Sequence, residues 1–194
     1  EARSRYAIPS RWRSVVGYAG PLEPDRGGLD LLRAIDRLGA QRRDAGWLVA
    51  ASKPASRRFL QRLRQRESSG AVILCADGDD PAYYRCLDIV AHPRCDQGVP
   101  AELMKGQAMK VPAIAYDTAG AASVVANGQT GRLVAPWEFG EFVGTLDAML
   151  DHPKRMRDFG VRARSRSTQR FDRQHVENQI FRLYDTVLES RLQK

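Results

Sequence analysis

Two stretches of this chain combine glycines with charge in the order that anion binding needs. The first is Gly20-Pro-Leu-Glu-Pro-Asp-Arg26-Gly27-Gly28. Its glycines let the backbone approach a ligand closely, and Arg26 stands just before a predicted helix, where a guanidinium can meet a diphosphate with two parallel N–H bonds. The second runs from Pro93 to Glu102, where Gln97, Gly98 and Val99 precede another helix and can present amides to a phosphate. Glu102 and Lys105 are three apart and so share a helical face. Each feature also has an ordinary reading. A glycine-rich turn before a helix is often only a turn, and an exposed Glu–Lys pair contributes under about 1 kcal/mol.

The elements that would position these residues alternate in type. Ser14 to Ala19 (SVVGYA) is a short apolar run, predicted to be a buried strand ending at Gly20. Gly28 to Leu38 has helical spacing, with Leu29, Leu32, Ala34, Ile35 and Leu38 as its apolar set. Trp47 to Ala51 is a second strand, and Ser56 to Glu67 is an amphipathic helix carrying Phe59, Leu60 and Leu63. Ala71 to Ala76 is a third strand. Asp80-Pro81 then reads as an N-cap and first helical residue. Leu87 to Ala91 and Val111 to Tyr116 are further strands, separated by a helix over Ala101 to Met109, and Arg132 to Val134 is a short sixth. From Glu138 onward the pattern is helical, broken near Asp151–Pro153 and Phe171–Asp172. Strands apolar on both faces, separated by helices, predict a parallel sheet covered on each side. Residues 1–14 read as a basic, proline-interrupted linker, and 15–194 as one domain that includes the C-terminal helices.

Composition narrows the classes. At 194 residues with 43% hydrophobic and 28% charged residues, the chain suits a globular domain with a sizeable core. No apolar run approaches the roughly 20 residues a membrane-spanning helix needs, and the polar, basic start EARSRYAIPS has no signal-peptide pattern. The missing initiator methionine points to a piece of a longer protein. Cys75, Cys86 and Cys95 are odd in number and match no metal-ligand spacing, so free thiols in a reducing cytosol are expected. His92, His152 and His175 are scattered, and no metal is expected. The net charge of +8 is nearly all arginine. Lys154 to Arg173 is strongly basic, but Met156, Phe159, Val161 and Phe171 interrupt it at core-like positions, which reads as a helix with one wet face. An anionic membrane surface is a candidate partner for it. Nucleic acid is not, for want of a motif or interleaved aromatics.

The segment from Leu87 to Val134 resembles the donor-nucleotide half of a group 1 glycosyltransferase, a family of two-domain GT-B enzymes. That family typically shows a G-R-L-x-x-x-K-G loop after the first strand. P-S-x-x-E-G and E-A-M-A-x-G-x-P-V follow, their glutamates framing E-x-x-x-x-x-x-x-E, then G-G-x-x-E-V-V and D-G-x-T-G-x-L-V. The register is similar from about Val15 to Leu188. Leu87-Asp88-Ile89-Val90, Pro93, Gly98, Ala108, Pro112, Gly120, Val124-Val125 and the run Asn127-Gly-Gln-Thr-Gly-Arg-Leu-Val134 all fall in place, as does the closing helix with Leu183-Tyr184-Asp185-Thr186-Val187-Leu188.

The departures are concentrated on charge. The loop arginine becomes Pro21, and the lysine becomes Arg26. The first glutamate, which in the family touches the donor sugar, becomes Gln97, and the second, which holds the ribose, becomes Lys105. The glutamate of the G-G turn becomes Ser123, and the glycine before the proline becomes Lys110. An Asp-x-Asp stands in Asp77-Gly78-Asp79-Asp80; in an unrelated glycosyltransferase fold that pattern binds a metal, but here it precedes a helix and reads as a turn.

The resemblance therefore implies an α/β, Rossmann-like three-layer sandwich with a parallel sheet, the C-terminal half of a GT-B glycosyltransferase. The function implied is binding of a nucleoside-diphosphate-sugar donor, as part of a retaining hexosyltransferase, for transfer to a glycan, lipid or small molecule. The expected donor-binding residues are Gly20, Arg26, Gly27, Gly98, Val99, Glu102 and Lys105, with Gln97 in the catalytic position. Glu102 has no ribose role in the family register and is included for its place one turn before Lys105. No cofactor is expected beyond the donor itself. The expected partner is an N-terminal GT-B domain, and the expected location is the cytoplasm or the inner face of the membrane. The alternative is a domain that kept the fold and lost the site, serving as a binding scaffold. Either way, the fragment alone is expected to turn over nothing.

Overall fold

The computed structural model describes residues 2–23, 27–75, 78–95 and 98–192. Six parallel strands form one sheet: β1 (Ser14–Leu22), β2 (Ala45–Ala55), β3 (Val72–Cys75), β4 (Ile89–His92), β5 (Ala113–Tyr116) and β6 (Gly131–Val134). Their spatial order is β3-β2-β1-β4-β5-β6. The chain thus works outward from β1 on one side, then returns to lay β4 against β1's other edge and works outward again. β1 pairs with β2 from Ser14 to Leu22, whereas its pairing with β4 is at Val16 and Gly17. Past Gly17 the two strands diverge and leave a crevice. The carboxyl end of strands at such a reversal is where open α/β sheets receive ligands.

Every central strand alternates between two apolar layers, which is why its sequence reads hydrophobic throughout. Val16, Tyr18, Trp47, Val49, Ile89, Ala91, Ile114 and Tyr116 face one core. That core is closed by α2 (Gly28–Gln41), α3 (Arg57–Ser68), α7 (Phe139–Leu150) and α8 (Pro153–Phe171). Val15, Leu48, Val90, Ala113 and Ala115 face the other. That core is closed by α1 (Ala2–Arg5), α4 (Pro81–Arg85), α5 (Ala101–Ala108) and α6 (Ala119–Val124). The expected three-layer α/β sandwich is present.

Several expectations change in detail. β1 runs past Gly20 to Leu22, because Pro21 sits near its end and its carbonyl accepts from the Tyr18 hydroxyl at 2.7 Å. Leu29 lies on the outer face of α2, whose buried set is Leu31, Leu32, Ala34, Ile35 and Leu38. Residues within the N-terminal stretch pack against the domain. α1 packs near α4, Trp12 is buried, Arg3 pairs with Asp88 at 2.9 Å and Arg5 with Asp80 at 2.6 Å. In α8, Met156 and Phe159 are core residues, but Val161 is exposed.

The helix ends fall where their residues dictate. Asp80 caps α4 by accepting from the Ala82 amide at 2.7 Å, with Pro81 in the first turn. Thr118 caps α6 through the Ala121 amide at 3.2 Å. The last helix, α9 (Arg173–Leu192), stands largely clear of the domain. Val176, Ile180, Leu183, Tyr184, Val187 and Leu188 recur on it at three- and four-residue intervals, and all are exposed.

Candidate donor-binding cleft

A cleft of about 270 Å³ opens at the carboxyl end of the sheet, over the crevice between β1 and β4. Its walls come from the ends of β1 and β2, the turns after β3 and β4, and the first turns of α5. The two glycine-bearing junctions meet beside it. Gly27 caps α2 in a left-handed conformation (φ 82°) and lies so close to the next junction that a β-carbon there would fall 1.7 Å from the Pro93 carbonyl oxygen. A β-carbon on Gly20 would sit 3.1 Å from Nη1 of Arg94.

Arg94 is the residue that the sequence reading passed over. It stands two residues after β4, its side chain is almost wholly buried, and it lines the cleft. Nothing in its local sequence marks it, because its importance arises from the packing of Gly20 and Gly27 against it.

Glu102 stands opposite. Its Oε1 lies 2.9 Å from Nδ1 of the buried His92 and 3.5 Å from Nη1 of Arg94. Burial alone would raise its pKa, but the hydrogen bond and charge of His92, with Arg94 behind, bring it below the ordinary carboxylate value. The glutamate therefore stays ionised and holds the guanidinium at the edge of the cleft. One turn on, Lys105 reaches across to Asp79 of the β3–α4 turn, Nζ to Oδ1 at 2.5 Å. Tyr84 of α4 completes the wall. Its buried hydroxyl has no hydrogen-bond partner among the described residues. Burial, with the charges of Glu102 and Asp79 adding, pushes its pKa well above the usual phenol value, so the hydroxyl stays protonated at neutral pH.

Of the residues expected at the site, Gly20, Glu102 and Lys105 line the cleft, and Gly27 packs behind it. Gly98 and Val99 are exposed and do not line it; α5 begins at Ala101, beyond them. Arg26 and Gln97 lie outside the described residues. The run from Asn127 to Val134, the most recognisable block of the sequence, builds structure away from the cleft. Thr130 Oγ1 accepts from Ala126 N at 2.9 Å and from Gln107 Nε2 at 3.1 Å, and Asn127 Oδ1 accepts from Leu133 N at 3.1 Å. Ser123 turns back to the Gly120 carbonyl at 2.7 Å.

The family model for glycosyl transferases group 1 matches residues 13–152. The chain belongs to that family. The capsular polysaccharide biosynthesis glycosyltransferase CapM of Staphylococcus aureus is 22% identical over 176 residues, which is 90% of this chain and 46% of the relative. A crystal structure of Anabaena HepE in complex with UDP-glucose matches with a TM-score of 0.78 at 20% identity, over 95% of this chain and 51% of that one. The C-terminal domain of a group 1 glycosyl transferase, LpcC of Francisella tularensis, matches with a TM-score of 0.73 at 20% identity, over 88% of this chain and 91% of that one. The chain thus spans about half the length of the curated relatives it matches, and its fold is that of a GT-B C-terminal half.

Proposed function

We propose that this chain binds the donor of a retaining glycosyltransferase, a nucleoside diphosphate sugar, in the cleft between β1 and β4. The observation that carries this reading is the convergence of Gly20, Arg94, Glu102 and Lys105 at the reversal point of the sheet. Sugar transfer breaks the bond between the anomeric carbon and the diphosphate oxygen, and the departing diphosphate takes the electron pair. Cations held in place before the reaction stabilise that charge without further reorganisation. Arg94 is such a cation, and its planar fork suits two phosphate oxygens. Arg26 would add a second. Gln97, in the catalytic position, keeps an amide for the sugar but no charge. The complex of HepE with UDP-glucose supports a nucleoside diphosphate sugar as the class of ligand.

The test is calorimetric titration of the chain with uridine, guanosine and adenosine diphosphates. Saturable binding to one of them, weakened by Arg94→Ala and Arg26→Ala, is expected. A second reading, a scaffold that lost donor binding, rests on Lys105, whose ammonium cannot accept a hydrogen bond from a ribose. Silence in all three titrations would favour it.

The rest of the activity needs another domain. The exposed apolar stripe of α9 is the docking face for an N-terminal half that supplies the acceptor site. The chain alone turns over nothing, and sugar transfer by purified residues 1–194 would refute that. No helix among the described residues is long and apolar enough to cross a membrane. The proposed location is cytoplasmic, with the basic face of α8 available to an anionic membrane; co-sedimentation with anionic but not neutral vesicles tests this.

A further inference from the structure

We infer that Asp79, held in place by Lys105, is the carboxylate that grips the donor's ribose diol, so that the chain selects ribonucleotides although its α5 position carries a lysine. This rests on the donor-binding reading above and adds a residue to it.

The two ends of the cleft differ in chemistry. At the β4 end stand Arg94 and Glu102, with Gly20 beside them. At the β2 and β3 end the walls are Ala19, Ala50, Ala51 and Gly78. Gly78 is packed so closely that a β-carbon on it would lie 2.9 Å from the β-carbons of both Ala19 and Ala50. That end is a shallow apolar floor of small residues, suited to a planar base, whereas the charged end suits phosphates. A nucleotide laid along the cleft would have its ribose between them.

The Lys105–Asp79 contact spans that middle. Asp79 directly follows Gly78 of the apolar floor, and Lys105 is one helical turn from Glu102 of the charged end. Two ribose hydroxyls need acceptors, and lysine has none to offer. Of the two carboxylates lining the cleft among the described residues, Glu102 is only 13% exposed and is engaged with His92 and Arg94. Asp79 is 84% exposed, on the far side of the 2.5 Å contact with Lys105. An exposed ion pair adds little stability by itself. Its effect here is to fix the Asp79 carboxylate over the ribose position.

The experiment uses the full chain and whichever nucleoside diphosphate binds best, titrated beside its 2′-deoxy analogue. The ribonucleotide should bind at least about tenfold more tightly, as expected for loss of one hydrogen bond to a charged group. Asp79→Ala should reduce that preference to within about twofold, with 2′-deoxy affinity falling by less than ribonucleotide affinity because only the 3′-hydroxyl contact is lost there. Adding Lys105→Glu to Asp79→Ala should restore the preference by moving the carboxylate onto α5. A surface ion pair with no ligand role would leave the ribose-to-deoxyribose ratio untouched. If the parent chain binds a diphosphate without preferring ribose, or if Asp79→Ala keeps the preference, the ribose assignment is overturned and donor binding stands. If no diphosphate binds at all, ribose or deoxyribose, both fall together.

Discussion

The α-carbon of Gly27 is pressed against the carbonyl of Pro93, joining the loop that leaves β1 to the loop that leaves β4. The contact explains two properties of Gly27 at once: no side chain fits there, and its φ of 82° is one that L residues rarely adopt. Gly27→Ala is therefore expected to destabilise the fold by about 3 kcal/mol or more, from combined clash and strain. Urea unfolding followed by circular dichroism reads this out. A change below about 1 kcal/mol would show that the two loops part easily.

Arg94→Lys retains the charge but loses the planar fork. The affinity for the preferred nucleoside diphosphate should fall about tenfold, equivalent to about 1.4 kcal/mol. The residual binding should be more sensitive to salt than the parent's, as for a point charge without paired hydrogen bonds. Titration at two ionic strengths checks both.

Glu102→Gln separates charge from shape. The folded carboxyl titrates below its ordinary value of about 4.3, so the unfolded chain takes up its proton first as pH falls. The stability this group contributes is fully present above that ordinary value and is lost as pH falls through the lowered one. Glu102→Gln should thus be less stable than the parent by about 2 kcal/mol at pH 7, where Arg94 and His92 lose their anionic partner. The difference should shrink as pH falls below the ordinary carboxylate value and through the lowered one. Thermal unfolding across that range measures it, and a constant difference would mean that the carboxylate's charge contributes nothing.

Tyr84→Phe removes a buried hydroxyl that has no hydrogen-bond partner among the described residues. An unsatisfied buried polar group costs about 1–3 kcal/mol, so the substitution should leave the fold as stable or make it more so. A loss of more than about 1 kcal/mol on thermal unfolding would reveal a partner for that hydroxyl.

Much of the architecture was legible because parallel strands covered on both faces declare themselves as apolar runs, and because Asp80-Pro81 carries its own capping chemistry. The site was less legible. Glu102 and Lys105 could be placed on one face of a helix by spacing, but their partners could not. His92 is ten positions from Glu102, and Asp79 belongs to a turn whose aspartates read as turn-formers. Asp80 does form that turn, while Asp79 points its charge at α5. Arg94 escaped notice because a lone arginine after a strand has no pattern; only the packing of two glycines against it gives it a place. Within the stretch read as a linker, the Trp12 ring fills space beside Gly46, a tertiary contact with no local signal.

The uneven stitching of β1 has a last consequence. Its ladder to β2 is long, whereas its ladder to β4 is short. The reversal point of the sheet is thus a brief seam, with the cleft at its open end. The gap that admits a ligand is also where the molecule should part first on warming. A donor spanning both banks would act as an extra stitch, and amide exchange at Asp88, which donates to the Val15 carbonyl across the seam, should slow more on its arrival than exchange at Leu48 or Val49.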